Sequence, residues 1–112
     1  MLRRIFRLNR GDLKLFFKKG GFYRKGKRVT LRICINRLKT PRFAFVVLGP
    51  PRSAAQRNLV RRRMSEIVKL KFPKLLKGAD MVFFLKLGKD KKVPPYKEIE
   101  EDILNVCAQI NL

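Results

Sequence analysis

The chain has 112 residues, 46% of them apolar, and carries 29 Lys and Arg against 8 Asp and Glu for a formal charge of +21. That is enough for one small core and one domain. It has no histidine, which removes the commonest general base and the commonest metal ligand.

The first element reads as a helix from Asn9 to about Lys19. Asn9 with Asp12 three residues on resembles an N-cap with an acid in the first turn, Leu13, Phe16 and Phe17 follow at helical spacing, and Gly20-Gly21 ends it. A short strand around Phe22 to Arg24 comes next, with Gly26 in the turn. KRVTLRICI alternates, with Val29, Leu31, Ile33 and Ile35 on one face and Arg28, Thr30, Arg32 and Cys34 on the other. That is a half-buried strand with a basic outer face. RFAFVVL (42–48) is a second, more apolar strand stopped by Gly49-Pro50-Pro51.

Ser53 with Gln56 three residues later has the capping-box pattern, and opens a helix from about Ala54 to Lys71 closed by Phe72-Pro73. DMVFFLKL (80–87) has a buried-strand pattern between Gly78 and Gly88, and GKDKKVPP is loop. The last helix runs from Tyr96 to about Ile110, with Ile99, Ile103, Val106 and Ile110 on one stripe. The predicted order is α-β-β-β-α-β-α. Cys34 and Cys107 have no partner motif and read as reduced, buried, small apolar side chains.

The charge is unevenly placed. All 29 cations lie within residues 1–97 beside four acids, leaving +25 there, while Glu98, Glu100, Glu101 and Asp102 give the last fifteen residues −4. A small domain holding that charge repels itself unless a polyanion neutralises it. Nucleic acid is the leading partner, through counterion release, and an acidic membrane surface the weaker one. No apolar run approaches the roughly 18 residues needed to span a bilayer. MLRRIFRL lacks the features of a secretory signal, so the expected location is the cytoplasm. No close pair of acids falls in a basic region, so the chain's own side chains are poor candidates for catalysing phosphodiester cleavage.

QRNLVRRRMSEIVK (56–69) concentrates the signal. At 100° per residue Val60, Met64, Ile67 and Val68 share a packing face, while Asn58, Arg62, Ser65 and Lys69 lie opposite and Arg61 stands at the boundary. Arg57 projects toward the apolar arc, so it must snorkel or find a specific acceptor. An ordinary solvated face would interleave acids with these cations, yet Glu66 is the only one. Forked arginines suit phosphate. A second cluster sets Phe16, Phe17, Phe22 and Tyr23 among Lys14, Lys18, Lys19, Arg24, Lys25, Lys27 and Arg28. Rings among cations suit single-stranded nucleic acid, although apolar residues at helical spacing more often form core. Gly88–Lys92 lacks P-loop spacing and reads as a solvated turn.

AAQRNLVRRRMSE resembles the basic helix of the bacterial ribonuclease P protein component, an Arg-Asn-Arg followed by Lys-Arg and Arg-Glu. Arg57 and Asn58 match its start, Arg61 and Arg62 its Lys-Arg pair and Glu66 its last acid, while Leu59 and Ser65 replace arginines. DLKLFFKKG (12–20) is similar to that family's first helix. The family's lysine pair before the basic helix is Gly49-Pro50 here, with Arg52 the nearest cation, and Arg63 is an extra one.

The resemblance implies an α+β sandwich with a left-handed crossover around the basic helix, one RNA-binding domain over residues 1–112. It implies a catalytic RNA as partner, and precursor tRNA whose 5′ leader is removed with the protein's help. No membrane and no obligate protein partner is implied. Carried over, the RNA-facing set is Arg57, Asn58, Arg61 and Arg62, extended by Arg52, Arg63 and Lys69. The leader cleft takes Leu13, Phe16, Phe17 and Arg32. The protein itself would bind no cofactor and be inactive alone, with Mg²⁺ at the RNA active site. The rival readings are a structural ribosomal or ribosome-assembly protein, which explains charge and size but not the Arg-Asn helix beside an aromatic first helix, and a stand-alone nuclease, which lacks its acid cluster.

Overall fold

In the computed structural model, which describes residues 7–19, 21–36, 41–49, 53–71, 78–88 and 93–109, seven elements follow one another. They are α1 (Arg10–Lys19), β1 (Phe22–Lys25), β2 (Val29–Ile35), β3 (Arg42–Leu48), α2 (Ala54–Lys71), β4 (Ala79–Lys86) and α3 (Tyr96–Ala108). The order is the predicted one. The stop signals at Gly20, Pro50-Pro51 and Phe72-Pro73, the cation Arg52, the loop residues Lys89–Lys92 and Ile110 lie outside the described residues.

The helix starts form as their sequences dictate. The Asn9 amide donates to the Asp12 carboxylate at 3.1 Å and the Asp12 amide to Asn9 Oδ1 at 2.8 Å, a reciprocal box that satisfies two otherwise orphaned donors of α1. In α2 the Gln56 amide donates to Ser53 Oγ at 3.2 Å.

One sheet has the strand order β1-β2-β4-β3. β1 pairs with β2 and β2 with β4 antiparallel, whereas β3 pairs with β4 in parallel. A parallel pair cannot be closed by a tight turn, and α2 supplies the crossover. β4, paired on both edges and covered on both faces, is correspondingly apolar.

Strand alternation sorts the side chains into two cores on opposite faces. On one face Val29, Leu31, Ile33, Phe43, Phe83 and Leu85 pack against Val60, Met64, Ile67 and Val68 of α2 and Ile99, Ile103 and Val106 of α3. All four predicted α2 packing residues are fully buried. On the other face α1 lays Phe16 on Val82, with Leu8, Leu13, Cys34, Ala44 and Phe84 around it.

Three expectations need correction. Ile35, assigned to the buried face of β2, is 70% exposed because it lies at the strand's end. Ser65, placed on the outward stripe of α2, is buried where that helix meets the β3 edge and Leu8. Cys34 and Cys107 are only partly buried, each at the margin of a core. Asp102 stands on the buried face of α3, 8% exposed, between two apolar positions of the same stripe. Its carboxylate accepts the amides of Lys27, Arg28 and Val29 at 2.7–2.8 Å, so it caps the β1–β2 turn. A Cβ at Gly26 would run into that carboxylate and into Val106.

Arg42 carries the second buried polar junction. It forks onto Asp80 with two bonds of 2.8 Å and reaches Asp12 of α1 at 3.1 Å, while Asn36 donates to Asp80 at 2.7 Å. Its hydrogen bond to Asp80 raises the guanidinium pKa further against the opposing effect of burial. The junction ties the start of α1 to the ends of β3 and β4.

Candidate nucleic-acid interface

Helix α2 presents its cations in two ways. Arg57 turns toward the sheet and donates to the Val47 carbonyl at 3.0 Å, so of the two outcomes its angular position left open, snorkelling or a specific acceptor, the structure shows the acceptor. Arg63 donates to the Pro94 carbonyl at 2.8 Å and fastens the segment leading into α3. These two arginines are partly buried braces, and Arg63 in particular faces α3 and not the outward stripe. Arg61, Arg62 and Lys69 are exposed, and Arg61 donates to Asn58 Oδ1 at 2.7 Å. None of these α2 cations has an ion-pair partner among the described residues. Asn58, Arg61, Arg62 and Lys69 therefore form an uncompensated positive stripe, steered by one internal hydrogen bond.

A second surface lies on the α1 face at the opposite side of the sheet. Tyr23 and Arg32 are cross-strand partners, and Arg32 pairs in turn with Val82. The Arg32 guanidinium lies 5.2 Å from the ring centres of both Phe16 and Phe17 and 5.3 Å from that of Tyr23. Cation–π attraction from three rings orients it. Phe17 is 45% and Tyr23 55% exposed, so two rings and a guanidinium edge face outward together. Phe17 also leans on Phe84, 6.2 Å between ring centres.

The sequence-predicted leader residues are thus divided. Phe17 and Arg32 meet. Phe16, at 2% exposure, lies beneath Arg32 as core and offers no face of its own, because its helical position turns it onto Val82. Leu13 packs beside Phe16 on the same α1 face and also lines a groove along β3 with Asn58, Arg61 and Arg62. Tyr23 was legible only as one ring of a basic-aromatic run, and Phe84 only as part of a buried strand. Their places follow from strand register, which a single sequence does not print.

No group of three or more His, Cys, Asp or Glu suited to a metal exists among the described residues. Asp80 and Asp102, the buried acids there, are engaged by Arg42 and by three backbone amides. The arrangement offers phosphate contacts and aromatic stacking.

Comparison with known proteins agrees with this chemistry. The family model described as Ribonuclease P matches residues 2–111. The chain is 35% identical over 91 residues to the ribonuclease P protein component of Finegoldia magna, covering 78% of this chain and 79% of that protein. It is 32% identical over 108 residues to the ribonuclease P protein component of Chloroflexus aurantiacus, covering 96% and 79%. In structure it is similar to the RNase P protein from Thermotoga maritima, with a TM-score of 0.77 at 25% identity over 95% of this chain and 98% of that one.

Proposed function

Because the chain belongs to the ribonuclease P protein family, and is thus a component of a ribonucleoprotein endoribonuclease, we propose that it binds the enzyme's RNA through α2 and the 5′ leader of precursor tRNA through the Phe17–Arg32–Tyr23 surface. The observation that carries this reading is the exposed stripe of Asn58, Arg61, Arg62 and Lys69, which has no acidic partner among the described residues. Each cation of such a stripe that meets a phosphate releases a condensed counterion, and the affinity follows from that release. At the second surface, unstacked leader bases lie on Phe17 and Tyr23 while Arg32, held by three rings, meets the backbone.

Cleavage chemistry then falls to the RNA and its Mg²⁺. The protein's part is to neutralise phosphates, hold the leader and so position the substrate in the cytoplasm, where tRNA is made. The absence of histidine and the engagement of both buried acids support that division. Arg52, which precedes α2, is assigned to the RNA-subunit side on sequence position alone.

Reconstitution tests the proposal. The purified chain is mixed with the RNA subunit of ribonuclease P, and cleavage of precursor tRNA is followed at low Mg²⁺ beside RNA alone and chain alone. Stimulation over RNA alone with an inactive chain is the expected result. No stimulation sinks the proposal, and cleavage by the chain alone moves the chemistry onto the protein.

A further inference from the structure

We propose that the groove along the open edge of β3 receives one unpaired nucleotide of the RNA subunit, its base against the Phe45 peptide and its flanking phosphates at Arg61 and Arg62. This deepens, and rests on, the reading of α2 as the RNA-subunit face. The groove has a volume of about 760 Å³ and is lined by Leu13, Phe45, Asn58, Arg61, Arg62 and Ser65 among others. That volume lies within the range of small-ligand sites.

The backbone of β3 defines what fits. β3 is an edge strand. The Leu8 amide donates to the Phe43 carbonyl at 2.9 Å, and Arg57 donates to the Val47 carbonyl at 3.0 Å, both from outside the sheet. The Leu48 carbonyl instead accepts from Leu87, on the β4 side, at 2.7 Å. Alternation therefore turns the backbone groups of Phe43, Phe45 and Val47 to the open edge. Between two closures stands one residue, Phe45, whose N–H and C=O have no partner among the described residues.

A strand added to this edge would need several consecutive peptides, and the closures at Phe43 and Val47 leave room for one. A donor beside an acceptor in a slot of that length matches the edge of a single nucleobase, read as unstacked bases of RNA commonly are. The walls agree. Leu13, Leu59 and Ala55 are apolar, while Arg7, Arg61 and Arg62 supply charge and no acid lines the groove among the described residues. The occupant is the RNA subunit and not the leader, because the groove adjoins the α2 stripe at β3 while Tyr23 and Arg32 belong to β1 and β2 at the other side of the sheet.

The test uses the full chain with the RNA subunit. Ala55 is exposed in the first turn of α2 and lines the groove, so Ala55→Phe fills it without entering the core. The expected result is about a tenfold loss of RNA affinity, the scale of one lost base contact, with the slope of log K against log salt unchanged because no phosphate contact is removed. One nucleotide whose Watson–Crick edge wild-type protein protects from methylation becomes reactive with the variant. In wild type, exchange of the Phe45 amide hydrogen slows when RNA is added, a readout that holds even if the variant does not fold.

Unchanged affinity and footprint, or a Phe45 amide indifferent to RNA, overturns the assignment while leaving phosphate binding by α2 intact. A smaller salt slope with Ala55→Phe, or loss of discrimination between leader-bearing and mature tRNA, overturns it in favour of a phosphate site or the leader. Phe45 protection that grows with protein concentration in the absence of RNA places a second copy of the chain there instead. Failure of wild-type protein to bind the RNA sinks the parent reading as well.

Discussion

Asp102 of α3 accepts the Val29 amide at 2.7 Å across 73 residues of sequence. With Lys27 and Arg28 donating to the same carboxylate, one acid of the C-terminal helix holds the turn from which β2 and its Arg32 emerge. Asp102→Ala strands three amides in a partly closed turn and is expected to cost about 3 kcal/mol. Urea unfolding measures it. A loss below about 1 kcal/mol would mean that water replaces the carboxylate at no cost.

Arg61 and Arg62 are exposed cations, whereas Arg63 braces Pro94. Arg61→Ala with Arg62→Ala is expected to weaken RNA binding and lower its salt slope by about two phosphate contacts. Arg63→Ala should leave the slope unchanged and cost roughly 1 kcal/mol of stability. Fluorescence titration of the RNA subunit across salt concentrations separates the two. Equal slopes for all three proteins would put the RNA face elsewhere.

Neighbouring phenylalanines are predicted to behave oppositely. Phe17→Ala removes an exposed ring beside Arg32. It should weaken leader-bearing precursor tRNA about tenfold and leave mature tRNA nearly unaffected. Phe16→Ala empties a core site and should cost about 3–4 kcal/mol of stability. If Phe17→Ala weakens both RNAs alike, its ring serves only packing.

Burial pushes the Cys107 thiol up to about 12. The folded chain therefore keeps this proton from about pH 9 upward, where the unfolded chain releases it. The resulting stability is complete below that pH and declines as pH rises toward 12. By pH 10 wild type should have lost about 1 kcal/mol more than Cys107→Ala, relative to pH 7.5. Paired urea titrations at the two pH values check the difference, and parallel curves would place the thiol in water.

Much of this protein is decided by local sequence. The Asn9–Asp12 and Ser53–Gln56 caps, the alternation of β2 and the Val60–Met64–Ile67–Val68 stripe are short-range patterns, and each fixes its element without reference to the rest of the chain. So is the turn of Arg57 toward the apolar arc, which follows from its angle on the helix, although only the structure chose an acceptor over snorkelling. Charge is additive, so a polyanionic partner was legible from composition, and the Arg-Asn-x-x-Arg-Arg spacing pointed to the family.

Tertiary structure decided what each charge and ring is for. Arg63 and Arg61 lie two residues apart in one basic run, yet one meets a carbonyl before α3 and the other faces outward. Asp102 is in sequence one of four clustered acids, and only the packing of α3 beside the β1–β2 turn sets it apart from the other three. Tyr23 joins Arg32, and Leu13 comes to line the β3 groove beside α2, through strand register and helix placement. These are contacts between residues far apart in the chain, set by how two cores close on a common sheet, and no local pattern encodes them.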